Sequence, residues 1–146
     1  MDAGEIEARL AIEDTIGRYV RCVDGGRAED LKELFIDDGV LQTDRNEYRG
    51  RDAISGMIDG LKASLSSGAE PRRIRHHVSS LRIDFDGPDA ATATCYFLST
   101  VGDGVDHWGV YRDQFVRDGD RWLFAHRHVT TEGRTPGGWA ASRVER

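Results

Sequence analysis

An α+β fold, helices first and a long antiparallel meander after, follows from three observations in this sequence. Apolar residues repeat at helical spacing from Glu5 to Val23, the hydrophobic period changes from 3.6 to 2 at Pro71, and the joints between the later runs are hairpin-short. Short joints require antiparallel neighbours, and three helices set on one face of such a sheet leave its concave side as a cavity.

The first helix rests on Ile12, Ile16, Tyr19, Val20 and Val23, which fall on one face of a helical projection. Gly25-Gly26 ends it, and Ala28 to Phe35 reads as a short second helix with Leu31, Leu34 and Phe35 on one side. Gly39 to Thr43 reads as a short strand. Tyr48-Arg49-Gly50-Arg51 leads into a third helix, Asp52 to about Leu65, with Asp52 expected as its N-terminal cap and Ile54, Met57, Ile58, Leu61 and Leu65 as its apolar set. Four β runs follow: Ile74 to Phe85, Ala90 to Thr100, Val105 to Arg117 and Arg121 to Thr131. They are joined by Asp86-Gly87-Pro88-Asp89, Gly102-Asp103-Gly104 and Asp118-Gly119-Asp120, which tolerate positive φ. Thr135-Pro136-Gly137-Gly138 then breaks the pattern. The expectation is one domain over residues 1–132 and a tail over 133–146, disordered or covering the pocket.

At 146 residues the chain fits a single core. Twenty Lys and Arg against 26 Asp and Glu, net −6, argue against nucleic acid and anionic membrane surfaces as partners. No apolar run approaches membrane-spanning length and the first residues lack signal-peptide character, so a cytoplasmic protein is expected. Cys22 and Cys95 stand alone and read as buried thiols. Neither an H-x-x-x-H helix nor facial-triad spacing appears, and there is no Gly-x-Ser-x-Gly elbow. The reading therefore carries no metal, no cofactor and no covalent nucleophile.

Asp24 stands where the first helix runs out, its carboxylate at the negative end of the dipole, so a compensating donor is expected there. His76 and His77 are adjacent in a strand and point to opposite faces. Val78 shares a face with His76, whereas Leu81, Ile83 and Phe85 share one with His77; a bulge at Ser79-Ser80 would reconcile the two halves. In the strand Val105 to Arg117, His107, Gly109, Tyr111, Asp113 and Phe115 form one face and Trp108, Val110, Arg112, Gln114 and Val116 the other. Pattern does not choose between them: the first would offer His107 and Tyr111 to a substrate, the second Arg112. Tyr96 and Thr100 are further polar candidates. In the last strand His126 and His128 share one face and Arg127 takes the other, with an exposed setting expected for most of these polar side chains.

Three stretches carry a family resemblance: Ala11 to Tyr19 with Val23-Asp24-Gly25-Gly26 and Leu31-x-x-Leu34-Phe35-x-x-Asp38-Gly39; Tyr48-Arg49-Gly50-Arg51-Asp52-Ala53-Ile54; and Tyr111-Arg112-Asp113 with Arg117-Asp118-Gly119-Asp120-Arg121-Trp122. In order and spacing, over residues 8 to 130, the chain resembles the SnoaL-like branch of the NTF2-like superfamily, near scytalone dehydratase, bile acid 7α-dehydratase and hexachlorocyclohexane dehydrochlorinase. The resemblance implies a cone-shaped α+β barrel that assembles as a homodimer or homotrimer. It also implies a catalytic Asp24–His76 acid/base dyad, with Tyr19 polarising or protonating the substrate; Tyr96, His107, Tyr111 and Arg112, offered by the strand pattern, are the candidates for substrate binding. The leading expectation is a cofactor-free lyase or isomerase, dehydratase-like, on a hydrophobic cyclic small molecule. A polyketide cyclase or epoxide-opening enzyme is the alternative within the fold, although an Asp-Arg-Asp constellation is not evident. A non-catalytic ligand-binding, oligomer-forming module is the alternative of another class.

Overall fold

The computed structural model describes residues 1–68 and 70–144. In chain order the elements are α1 (Ala3–Gly25), α2 (Ala28–Lys32), β1 (Phe35–Gln42), β2 (Glu47–Arg49), α3 (Arg51–Leu65), β3 (Ile74–Phe85), β4 (Ala90–Val101), β5 (Gly104–Asp118), β6 (Arg121–Arg134) and α4 (Trp139–Val144). The strands form one sheet in the order β2-β1-β6-β5-β4-β3. All neighbours are antiparallel except β1 and β6, which run parallel with Val40 opposite His126 and Gln42 opposite His128. The architecture is α+β, as expected, with α1 and α3 packed on the concave face of the sheet.

Alternation along β4 shows which face is inward: Ala91, Ala93, Cys95, Phe97 and Ser99 are buried and the residues between them are exposed. On β5 the inward face carries His107, Tyr111, Asp113 and Phe115. Ile12, Ile16, Tyr19 and Val23 of α1 and Ile54 and Ile58 of α3 close the core over these side chains. Thr15 fastens α1 to the sheet by donating its hydroxyl to the Trp122 carbonyl at 2.6 Å. The sheet comes close enough to itself at Gly109 that a β-carbon there would lie 1.9 Å from the Thr130 carbonyl oxygen, so only glycine fits.

Several element boundaries differ from the sequence reading. Phe35 opens β1 rather than ending α2, because its backbone pairs with Phe124 and its ring packs on the Phe124 ring at 5.0 Å. Asp52 lies inside the first turn of α3; Gly50 is the N-terminal flanking residue and no side chain caps the helix. Of the expected tail, the described residues run to 144 and carry regular structure. β6 continues to Arg134, and α4 follows, with Trp139 buried against Ile74. Two buried backbone N–H groups explain why that helix docks: those of Trp139 and Ala140 donate to the Asp106 carboxylate at 2.7 and 3.1 Å.

Candidate active site

Gly26 adopts a left-handed conformation (φ 65°) and turns the chain out of α1, leaving Asp24 in the last turn with its side chain 7% exposed. The expected compensation comes from β3. Asp24 accepts the His76 backbone N–H at 3.1 Å and bonds His76 Nδ1 at 2.6 Å. A carboxylate only accepts, so Nδ1 carries the proton, and Nε2 is the ring nitrogen left for a ligand, with no hydrogen-bond partner among the described residues. His76 owes its inward position to the bulge. Pairing jumps between Ser79 and Arg82, and Ser80 has φ 55°. Val78 and His76 thus share the buried face with Leu81, Ile83 and Phe85, and His77 is exposed.

His107 stands on β5 across from His76, the two rings edge to face with centroids 6.2 Å apart. Its Nδ1 bonds Asp106 at 2.7 Å, and the two side chains are 12% and 4% exposed. Burial pushes the His107 pKa down, against the pull of Asp106, and His76 lowers it further. The site therefore holds two carboxylate–imidazole pairs drawn from three places in the chain, the end of α1, β3 and β5. Phe97 lies between them, stacked on Tyr111 at 4.6 Å and 6.0 Å from the His107 ring. Trp139 of α4 sits 6.0 Å from His107 on the other side.

Together these side chains line a cavity of about 550 Å³ that Tyr19, His76, Phe97, His107, Tyr111 and Trp139 share, a size suited to a small organic molecule. A larger pocket of about 1370 Å³ beside α1 also touches His76, but His107, Phe97, Tyr111 and Trp139 do not line it. Tyr19 is 5% exposed and packs edge-on against Tyr111 and Phe124. Burial raises the pKa of its phenol and raises that of Tyr111 well above the usual value, so both are neutral hydroxyls. Among the described residues no group of three or more His, Cys, Asp or Glu is arranged to hold a metal ion.

Two of the sequence candidates lie elsewhere. Tyr96 is 58% exposed because β4 alternation turns it to the outer face of the sheet. Arg112 is exposed on the same outer face, where it reaches Thr130 Oγ1 at 3.4 Å. Arg127, expected on an exposed face, is fully buried. It makes a two-pronged bond to Asp113 at 2.7 and 2.8 Å and lies over the rings of Tyr111, Tyr19 and Phe124 at 4.0 to 4.5 Å. Burial opposes its charge, but Asp113 more than offsets this and keeps the guanidinium charged. It braces the ring of Tyr19 from behind the cavity.

Asp106 and Trp139 escaped the sequence reading. The available signal was weak: an apolar Trp139-Ala140-Ala141 run after Gly137-Gly138, and an aspartate directly before a strand histidine.

Relatives agree with this architecture. An uncharacterized protein of Mycobacterium tuberculosis is 28% identical over 137 residues, 89% of each chain. Among solved structures, a scytalone dehydratase candidate from Novosphingobium aromaticivorans superposes with a TM-score of 0.80 at 23% identity, over 92% of this chain and 91% of that one. A type 3 hexachlorocyclohexane dehydrochlorinase from Novosphingobium barchaimii gives 0.78 at 18% identity, over 93% and 94%. At these identities the likeness shows the fold. Residues 4–128 match the SnoaL-like domain profile, and the chain belongs to that family.

Proposed function

We propose that this protein is a cofactor-free lyase or isomerase that carries out a dehydratase-like elimination on a hydrophobic, cyclic small molecule. The observation that carries this reading is the 2.6 Å bond from Asp24 to His76 Nδ1 at the wall of a cavity with aromatic and aliphatic lining, which leaves Nε2 as the base. The same contact favours an enzyme over a passive binding module, since a binding pocket has no need of an oriented imidazole. The dehydratase and dehydrochlorinase among the fold neighbours support elimination as the reaction class.

In the reaction, His76 Nε2 takes a proton from a carbon beside a carbonyl or ring. The imidazolium is stabilised by Asp24. The electron pair of the broken C–H bond forms the new double bond, and the C–O bond on the adjacent carbon breaks. The departing hydroxyl takes the Tyr19 phenolic proton and leaves as water, and solvent returns the proton from His76 to Tyr19. His107 contributes differently. With Nδ1–H committed to Asp106 and the ring kept neutral by burial, its Nε2 accepts a hydrogen bond from a substrate hydroxyl and orients it. Tyr111, stacked on Phe97, supplies apolar wall. The exposed Tyr96, Leu98 and Trp108 on the outer sheet face support a homodimer or homotrimer.

The test follows the first step alone. In D₂O the wild type should exchange the α-protons of a cyclic ketone such as 2-tetralone, and His76→Ala and Asp24→Asn should each lose about a hundredfold in rate. Exchange by His76→Ala at the wild-type rate would remove the base from this reading.

A further inference from the structure

We infer that the cavity takes an amphipathic anion, its apolar ring body seated on Phe97, Tyr111 and Trp139 and its carboxylate turned outward to Arg45 and Arg134, at a rim that also holds Arg143. This deepens the reading above by naming the substrate class of the same site, and it rests on that reading only for the identity of the cavity.

All three arginines line the cavity. Arg45 and Arg143 are exposed and the Arg134 side chain is 32% exposed, whereas the histidine and aromatic side chains below are buried or nearly so; the arginines therefore form the rim. Arg45 Nη1 donates to the Arg143 carbonyl at 3.0 Å, and the Arg143 guanidinium lies 4.6 Å over the Trp139 ring. Among the described residues the one acidic side chain lining this cavity is Asp44. It stands 3.9 Å from Arg134 and also accepts the Thr131 backbone N–H at 2.9 Å. Among the described residues Arg45 and Arg134 against Asp44 leave the rim with an excess of positive charge, on a chain whose net charge is −6. The floor has the opposite sign, with Asp24 and Asp106 behind their histidines. A ligand with a charged end and an apolar body is thus oriented, charge outward and ring inward beside His76 Nε2. Arg134 also contributes to the depression of the His107 pKa, so an anion on the rim relieves part of it.

Calorimetric titration with 2-naphthoate and with the neutral, near-isosteric 2-naphthamide tests this on the intact chain. The carboxylate should bind about tenfold tighter at low ionic strength. That margin should shrink towards parity in about 0.5 M NaCl, where surface charges are screened. Arg134→Gln and, independently, the exposed Arg45→Gln should each lower the margin severalfold while naphthamide affinity stays level. His76→Ala should retain the carboxylate preference while losing proton exchange, which separates failure of the base assignment from failure of this one. Equal affinity for the two probes, binding of neither, or a margin indifferent to salt and to both arginine substitutions overturns the inference.

Discussion

Asp106→Asn is the substitution that asks most of this structure. The carboxylate accepts three hydrogen bonds in a nearly dry setting: Trp139 N–H at 2.7 Å on Oδ1, and Ala140 N–H at 3.1 Å and His107 Nδ1 at 2.7 Å on Oδ2. An asparagine can keep its oxygen towards Trp139, but its NH₂ group then faces the other two donors. Hydrogen bonds to a charged group are each worth about 1.5–3 kcal/mol, so losing two costs about 3–6 kcal/mol if nothing moves. Undocking of α4 relieves the clash at Ala140, which limits the loss to about 2–4 kcal/mol, or a fall in Tm of about 5–12 °C for a chain of this size. His107 has a separate escape: it moves its proton to Nε2 and accepts from the asparagine through Nδ1, so the cavity meets a donor where it met a lone pair. Thermal unfolding followed by circular dichroism, together with hydrogen exchange at the Trp139 and Ala140 amides, reads both consequences. A variant that melts within about 2 °C of the wild type and keeps those two amides protected would refute the view that Asp106 holds α4.

Other groups make separate predictions. His107 has a lowered pKa in the folded protein, so the unfolded chain binds more protons between the folded value and 6.5. Stability should fall as pH drops through that window, and urea titrations of His107→Asn should show a flatter profile; an unchanged slope would contradict the buried neutral ring. Asp113→Ala strands the fully buried Arg127 charge and should destabilise by about 3–5 kcal/mol in chemical denaturation, far more than the loss of a surface ion pair. Cys95 is buried and its thiol is pushed up to about 11, so at pH 8 it should resist Ellman's reagent until denaturant is added; rapid labelling of the native protein would show that the core opens.

The helices and the meander were legible because their periods are long and unbroken; at Asp24 the helix C-terminus signalled only the need for a donor, and the choice of His76 as its partner came from the family resemblance. The bulge at Ser79-Ser80 could be read from a parity conflict between Val78 and Leu81. What alternation cannot do is choose a face when both carry polar groups, and β5 is such a strand: His107 and Tyr111 face in, Arg112 faces out. The choice depends on Asp113, whose inward position makes sense only beside Arg127 on the neighbouring strand. Charged residues read singly were assigned to solvent; read as a facing pair they belong inside. Asp106 was invisible for a related reason, since its partners at Trp139 and Ala140 lie in a segment that a Pro-Gly-Gly run made look unstructured.

The place of β6 in the middle of the sheet has a consequence for how the chain comes to be folded. It follows β5 in the chain, yet the β1–β2 hairpin joins the rest of the sheet only through it, with Phe35 next to Phe124. During synthesis that hairpin must wait for its sheet neighbour until β6 has left the ribosome. Such non-local closure makes folding slow, and it makes nascent chains stalled short of β6 clients for chaperones.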